Sequence, residues 1–232
     1  MLRLLQHVHA TEVQGSLVFL NLRNNRYDYL APKDAAGVLE LLRDDADPRL
    51  HDKRDSVLLR DQSTVDELKE RGLVTEGEFG RPFLQIQHEA VLEEFPRMLG
   101  PDRPKIRTRY FWIFVRSVFE ARALISILPL HWIITILKRR KNSTIDVRDT
   151  SSVARLVEVY RRLRPILFSR HDRCLVDSLS LFIFLQRFRV PATLCFGVRL
   201  EPFKAHAWVE HDGIVFDEMP ANIHRYTRIL EI

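Results

Sequence analysis

Cysteine is scarce in this sequence, where only Cys174 and Cys195 carry a thiol. So few thiols provide no framework of disulfides, which excludes a small disulfide-stapled secreted domain and favours a reducing cytoplasm as the location. The first residues also lack the continuous apolar core and small-residue cleavage site of a signal peptide. We therefore expect a cytoplasmic protein.

Long apolar runs are lacking as well. The most apolar run, at 123–137, is shorter than the roughly 20 residues that a membrane-spanning helix needs, and it contains Pro129 and His131. We interpret it as a pair of helices in the protein core or, as the alternative, on a membrane surface. The sequence contains no internal repeat and no glycine-rich phosphate loop with its lysine.

Charge is distributed unevenly along the chain. Residues 1–100 contain 13 Lys and Arg against 18 Asp and Glu, a net charge of −5, whereas residues 101–232 contain 23 against 13, a net charge of +10. The acidic first part lacks the positive footprint of nucleic-acid contact, so we expect no nucleic-acid partner. The basic residues between 101 and 170 form either solvated helix faces or a contact for an anionic nucleotide or lipid surface.

The first 80 residues combine strand and helix signals. SLVFLNL and RYDYLA are strand-like runs joined as a hairpin, and KDAAGVLELL has apolar residues at helical spacing. A second helix is predicted to begin at a cap formed by Ser63 or Thr64 and to end at Gly72. The pattern predicts a winged-helix-like domain at 1–80, followed by a Gly- and Pro-containing linker at 81–103.

The rest of the chain, 104–232, is predicted to be a helical connector followed by a mixed domain. Apolar periodicity indicates helices up to residue 168 and a further helix at 173–187, with one apolar face packed against a sheet. Three antiparallel strands follow, in ATLCFGVRL, AHAWVEH and GIVFDE. The predicted fold class of the whole protein is α+β.

Cys174 lies in the first turn of the helix predicted at 173–187, just after a possible cap at Ser169 or Asp172. Free backbone N–H groups and the positive end of the helix dipole favour a thiolate there, which suits a nucleophile. The alternative is a free cysteine that acts as a small hydrophobe. That is our interpretation of Cys195, which lies inside an apolar strand pattern.

A β-hairpin is predicted at 203–218, where apolar and polar residues alternate on both sides of an Asp-Gly turn. His206, in its first strand, is either an ordinary half-buried histidine or the base that a nucleophilic cysteine needs. A two-residue loop pairs Trp208 with Asp217, which then shares the face of His206, whereas a bulged loop places Glu218 opposite His206. Either carboxylate then orients the imidazole.

A cysteine at a helix start, a histidine on a strand and an acid on the next strand resemble the transglutaminase-like and papain-like cysteine catalysts. The stretch RCLVDSLSLFIFLQRFRVPATLCFGVRLEPFKAHAWVEHDGIVFDE resembles more specifically the leader peptidase, or B protein, of lasso-peptide biosynthesis. The resemblance implies that Cys174 and His206 are catalytic. It places the acid at Glu218, while the adjacent Asp217 keeps the choice open.

The stretch SLVFLNLRNNRYDYLAPKDAAGVLELL resembles the peptide-recognition module related to the small chaperone of pyrroloquinoline quinone biosynthesis. Such modules bind a leader peptide as an added strand at a sheet edge. The resemblance implies that the edge is the strand formed by Arg26, Tyr27, Asp28, Tyr29 and Leu30. A helix near 64–72 would form the other wall.

Together, these resemblances imply a cysteine-type hydrolase that removes the leader from a lasso-peptide precursor. They imply two partners, the precursor and an asparagine-synthetase-like cyclase, and a dependence on ATP whose site the sequence does not reveal. We expect no metal and no cofactor in the chemistry. Two alternatives stay open, because a thioester intermediate can transfer its acyl group to an amine, and because the chain can be a non-catalytic peptide-binding protein.

Overall fold

The computed structural model of the 232-residue chain describes residues 2–43, 51–77, 79–86, 93–94, 104–141, 150–168, 174–211, 213–216 and 220–232. The chain divides into two units, Met1–Gln87 and His88–Ile232. The first unit thus extends beyond residue 80, because Arg81 pairs with Leu4 and Gln85 bonds to Thr11. Helices and strands occur in both units, so the protein is a mixed helix and sheet structure.

The elements follow one another in a simple order. They are β1 (Leu2–Leu4), β2 (Val8–Val13), β3 (Ser16–Asn21), β4 (Arg26–Leu30), α1 (Pro32–Arg43), α2 (His51–Glu70), β5 (Val74–Glu76), β6 (Glu93–Glu94), α3 (Thr108–Ile127), α4 (Leu130–Lys141), α5 (Thr150–Leu167), α6 (Cys174–Arg187), β7 (Thr193–Arg199), β8 (Lys204–His211), β9 (Ile214–Phe216), α7 (Pro220–Ile223) and β10 (Thr227–Glu231).

The first unit contains an antiparallel sheet in the order β2-β3-β4. Gln14 and Gly15 connect β2 to β3 with φ angles of 51° and 78°, as in a two-residue type I′ turn. The residues that flank such a turn, Val13 and Ser16, form a hydrogen-bonded pair, and such pairs recur at every second residue. Residues of β3 bond alternately to β2 and to β4. With the register between β3 and β4, this alternation directs the N–H groups of Tyr27 and Tyr29 away from β3.

One prediction for the first unit is wrong, and three of its strands were missed. The second helix does not begin at Ser63 or Thr64, since α2 already begins at His51, and strands β1, β2 and β5 were not predicted at all. Five of the ten residues at 51–60 are charged, so no apolar stripe marks the true start of α2. Gly72 does end this helix, with φ +68° and an N–H that donates to Lys69.

In the second unit, the apolar run at 123–137 forms parts of α3 and α4. Proline lacks an N–H and forces the residue before it out of the helical region, so α3 ends before Pro129, where Leu128 is extended (φ −112°, ψ 140°). Ile133, Ile134 and Leu137 of α4 are buried, as predicted, whereas Ile127 of α3 and Trp132 of α4 are exposed, so the run is buried only in part. None of the described helices is long and apolar enough to cross a membrane.

Helix α6 is the centre of the second unit. It was expected to bury one face, but every residue from Leu179 to Leu185 is buried, because α3 and α5 pack against it as well as strands β7 and β8. The sheet has the order β10-β7-β8-β9-β6. Strands β7, β8 and β9 are antiparallel, as predicted, while β10 and the short parallel strand β6 were not expected.

Candidate active site

Helix α6 places Cys174 at its first residue, exposed to solvent. The N–H groups of a first helical turn have no intrahelical partner, so they can stabilise negative charge on a nearby atom. The proposed caps, Ser169 and Asp172, lie outside the described residues. Cys174 therefore lies at a helix start, as expected from the sequence.

A side-chain hydrogen bond fastens α6 to strand β8 one helical turn after Cys174. The hydroxyl of Ser178 donates to the backbone carbonyl of Ala207, at 2.6 Å. Residues four apart lie on the same face of a helix, so Cys174 faces the same strand as Ser178. The bond sets the position of the helix start relative to His206, which immediately precedes Ala207.

His206 lies on β8, opposite Gly197 of β7. Its imidazole is stacked on Trp208, with ring centroids 6.2 Å apart at 19°, and it contacts the ring of Tyr226 at 5.2 Å. A Cβ added to Gly197 would lie 2.8 Å from the indole of Trp208 and 3.0 Å from Tyr226. The absence of a side chain at Gly197 thus permits the two aromatic residues to pack beside the imidazole.

The thiol of Cys174 and the imidazole of His206 lie within hydrogen-bond reach of each other. The hydrogen bond from His206 is the main reason why the pKa of Cys174 is below its ordinary value, although partial burial acts in the opposite direction. The positive charge of His206 and the N–H groups of Ala207 and Leu175 lower this pKa further. A thiolate held beside an imidazole is the arrangement of a cysteine nucleophile and its acid-base partner.

The face of β8 that carries His206 continues into a buried charged network. The indole N–H of Trp208 donates to Glu210 at 2.8 Å, and Arg228 of β10 binds the other oxygen of that carboxylate at 2.6 Å. All three side chains are buried. Alternation along AHAWVEH already placed Trp208 and Glu210 on the face of His206, but no local pattern pointed to Arg228, Tyr226 or Ser178.

Cys195 lies opposite Trp208 in β7 and is fully buried. Burial raises its pKa well above the ordinary value, and the nearby carboxylate of Glu210 acts in the same direction. A thiol in this setting stays protonated and is a small apolar side chain, which agrees with the interpretation of Cys195 as structural.

The described part of the hairpin has the register of a two-residue loop. His211 pairs with Ile214, Glu210 with Val215 and Val209 with Phe216, and Gly213 has φ +77°. Asp217 and Glu218, the two candidates for the orienting acid, lie outside the described residues. The choice between them is therefore still a prediction.

The five residues assigned to leader binding form β4, the edge strand of the sheet in the first unit. Within the described part of the chain, no strand pairs with its outer side. Arg26 and Tyr29 are exposed, while Tyr27, Asp28 and Leu30 are half-buried. Asp28 forms an ion pair with Arg71, which directly follows α2, so the end of that helix lies beside the strand.

In the described ranges, no group of three or more His, Cys, Asp or Glu side chains is arranged to hold a metal ion. The candidate site consists of Cys174, His206 and the side chains that surround them. Its chemistry is that of a thiol and a base at the junction of a helix and a sheet.

Comparison with known proteins agrees with this geometry. Residues 115–231 match the family model described as "Transglutaminase-like superfamily". The matched region is half of the chain and contains both Cys174 and His206. Neither the curated proteins nor the solved structures gave a match.

Proposed function

This chain belongs to the transglutaminase-like superfamily, and from that premise we propose that it is a cysteine peptidase that releases the leader of a lasso-peptide precursor. The observation that carries the proposal is the hydrogen-bonded pair of Cys174, at the start of α6, and His206, on β8. The motif resemblance of the same region supplies the proposed substrate. Hydrolysis by such a pair proceeds in two steps.

In the first step, the thiolate of Cys174 attacks the carbonyl carbon of the scissile peptide bond. The oxyanion that forms is stabilised by backbone N–H groups at the start of α6, with that of Cys174 itself as the first candidate. The C–N bond then breaks, and His206 gives its proton to the departing amine. The products are a thioester between leader and Cys174 and a core peptide with a free amino terminus.

In the second step, water attacks the thioester while His206 accepts its proton. The C–S bond breaks, the leader departs with a new carboxylate, and the thiolate is regenerated. The freed amine of the core peptide is the group that the proposed partner, an asparagine-synthetase-like cyclase, would join to a side chain. The role of ATP implied by the resemblance has no step in this hydrolysis.

We assign leader recognition to the outer edge of β4. The outward N–H groups of Tyr27 and Tyr29 are suited to pair with an extended peptide, as in other cases of strand addition. The ion pair between Asp28 and Arg71 fixes the end of α2 beside the strand. A leader laid along β4 would then contact the exposed ring of Tyr29.

The decisive experiment incubates the full chain with the precursor encoded beside its gene and follows the products by mass spectrometry. The active protein should release a leader with a new carboxyl terminus. Cys174→Ala should abolish release while leaving precursor affinity nearly unchanged, because the exposed thiol contributes a covalent step but little contact area. Cleavage by this variant above a trace would refute the assignment.

The same reaction with an added primary amine tests acyl transfer. If the thioester reacts preferentially with the amine, the leader gains the mass of that amine, and the protein is an acyltransferase. If alkylation of Cys174 leaves precursor maturation intact, the chain is a non-catalytic binding protein. Free leader carboxylate as the main product in the presence of amine supports the peptidase.

A further inference from the structure

A cavity of about 400 Å³ opens among the helices of the second unit. This volume is in the range of small-molecule pockets, roughly 300–1,000 Å³. The cavity does not include Cys174 or His206. It is lined by Arg116 and Glu120 of α3, Arg140 of α4, and Ile183, Gln186 and Arg187 of α6.

The walls of this cavity carry more positive than negative charge. Glu120 accepts from Arg140 through one carboxylate oxygen and from Arg187 through the other. Burial raises the pKa of Glu120, but the hydrogen bonds and charges of the two arginines outweigh it and hold the pKa below its ordinary value. The carboxylate is therefore ionised near neutral pH, and it balances only one of the three guanidinium groups.

Arg116 is the arginine that Glu120 does not bind. It lies one helical turn before Glu120, is exposed to solvent and lines the cavity. Within the described part of the chain it forms no hydrogen bond or ion pair. Its guanidinium is therefore available to a ligand in the cavity.

Three further polar atoms of the lining residues have no hydrogen-bond partner among the described residues. Both amide atoms of Gln186, Nε2 and Oε1, are buried without a hydrogen bond to any described residue, and the same holds for Nε of Arg187. Buried polar groups in native proteins are nearly always satisfied, by protein, water or a ligand. Both residues belong to α6 and line the same cavity as Arg116.

We propose that this cavity binds the phosphate group of a small anionic ligand. Unused donors remain on Arg116, on Nε of Arg187 and on Nε2 of Gln186. A phosphate presents at least three acceptor oxygens to such a set, whereas a carboxylate presents two, and guanidinium groups match phosphate geometry. Glu120 holds Arg140 and Arg187 in place and leaves a net positive charge that attracts the anion.

The test measures the affinity of the full chain for inorganic pyrophosphate by calorimetry at constant ionic strength. Arg116→Gln and Gln186→Leu should each weaken binding by about tenfold, the effect expected for the loss of one charge-assisted hydrogen bond. The matched control is Arg155→Gln, since Arg155 is an exposed arginine of α5 outside the cavity. That variant should bind pyrophosphate within about twofold of the wild type.

Gln186→Leu also separates a ligand contact from a structural role. Its amide has no bonds to lose among the described residues, so the variant without ligand should melt at or above the temperature of the wild type. In the wild type, pyrophosphate should raise the melting temperature, and in the variant this rise should shrink. Equal affinity in wild type, Arg116→Gln and Gln186→Leu, or an equal loss in Arg155→Gln, overturns the proposal.

A lipid headgroup carries the same chemical group as a free phosphate ester. Sedimentation with phosphatidylglycerol vesicles distinguishes the two sources. Vesicle binding that falls in Arg116→Gln and Gln186→Leu, but not in Arg155→Gln, assigns the phosphate to a membrane surface. Pyrophosphate binding without such vesicle binding assigns it to a soluble ligand, and the failure of both ligands to bind refutes the site.

Discussion

The surroundings of the candidate nucleophile determine how readily its thiol loses a proton. Cys174 is at the start of a helix, and His206 donates to its sulphur, which lowers the pKa of the thiol below its ordinary value. The imidazole in turn contacts the rings of Trp208 and Tyr226. The reactivity of the site can therefore be measured without a substrate.

His206→Gln should shift the alkylation of Cys174 to higher pH. In the wild type the hydrogen bond from His206 lowers the thiol pKa, so the rate with iodoacetamide should reach its half-maximum below the pH typical of a free cysteine. The variant loses the charge and weakens the hydrogen bond, which raises the pKa. Native Cys174→Ala should take up no label, and an unchanged pH profile in His206→Gln would contradict the pairing.

Asp217→Asn should slow leader release on the order of a hundredfold or more, because an imidazole held in the wrong tautomer loses orders of magnitude in rate. Glu218→Gln should have only a mild effect. The expectation follows from the observed pairing of Val209 with Phe216, because the same alternation, continued by one residue, would put Asp217 on the face of His206. Cleavage rates of the two variants on one precursor give the answer, and the reverse order would favour Glu218, the position that the family resemblance indicates.

At the scale of elements, the junction between α6 and β8 holds the two reacting side chains in register. One contact of the junction is the bond between Ser178 and Ala207, and the same turn of α6 is fixed by buried Tyr160, whose hydroxyl contacts Ser180 and Asp177. These contacts fix the position of the helix start, and with it the position of Cys174.

Ser178→Ala should destabilise the second unit by about 1 kcal/mol, the usual net value of one hydrogen bond. Because the bond also positions the helix start, the alkylation profile of Cys174 should move to higher pH. Urea unfolding and alkylation measure the two effects separately. Ser126→Ala, an exposed serine of α3, is the matched control and should change neither. A loss of stability with an unchanged profile would make Ser178 a structural residue only.

Proline in β4 should separate leader binding from folding. The N–H groups of Tyr27 and Tyr29 point away from β3, so Tyr29→Pro should weaken leader binding at least about tenfold while the sheet stays intact. Asp28→Pro should instead break the β3–β4 ladder and unfold the strand. Fluorescence anisotropy with a labelled leader and circular dichroism report the two outcomes. Undiminished leader affinity in Tyr29→Pro would remove β4 from the binding site.

The whole molecule joins two units of different charge, an acidic one that we assign to leader capture and a basic one that holds the thiol. Tethering the two raises the effective concentration of a captured precursor at the active site without adding a contact. The higher effective concentration thus requires the covalent connection between the units, and neither unit provides it alone.

A mixture of Tyr29→Pro and Cys174→Ala chains should therefore cleave the precursor slowly. One variant retains the thiol and the other retains the leader-binding edge, yet at micromolar concentration the mixture should reach less than about a tenth of the wild-type rate. The test compares initial rates at equal total protein. Full recovery in the mixture would show that capture and cleavage need no common chain.

Sequence patterns predicted some parts of this molecule far better than others. The β8–β9 hairpin and the start of α6 were predicted because an Asp-Gly turn, strict alternation and a helix-start cysteine are all local signals. Strand β2 was missed, since VHATEV has histidine and alanine where a strand usually has branched residues. Arg228 was missed because its partner Glu210 is 18 residues away, and only the folded sheet brings them together.

Because Cys195 is fully buried, the number of thiols that can be alkylated reports whether the second unit is folded. A native molecule should accept one alkyl group, on Cys174, and a molecule whose β7–β8 pairing has opened should accept two. Intact mass after a short labelling pulse therefore counts folded and opened molecules as separate peaks in one spectrum. Variants of the second unit that retain both thiols can be checked in this way, so a loss of chemistry is distinguished from an opening of the β7–β8 pairing.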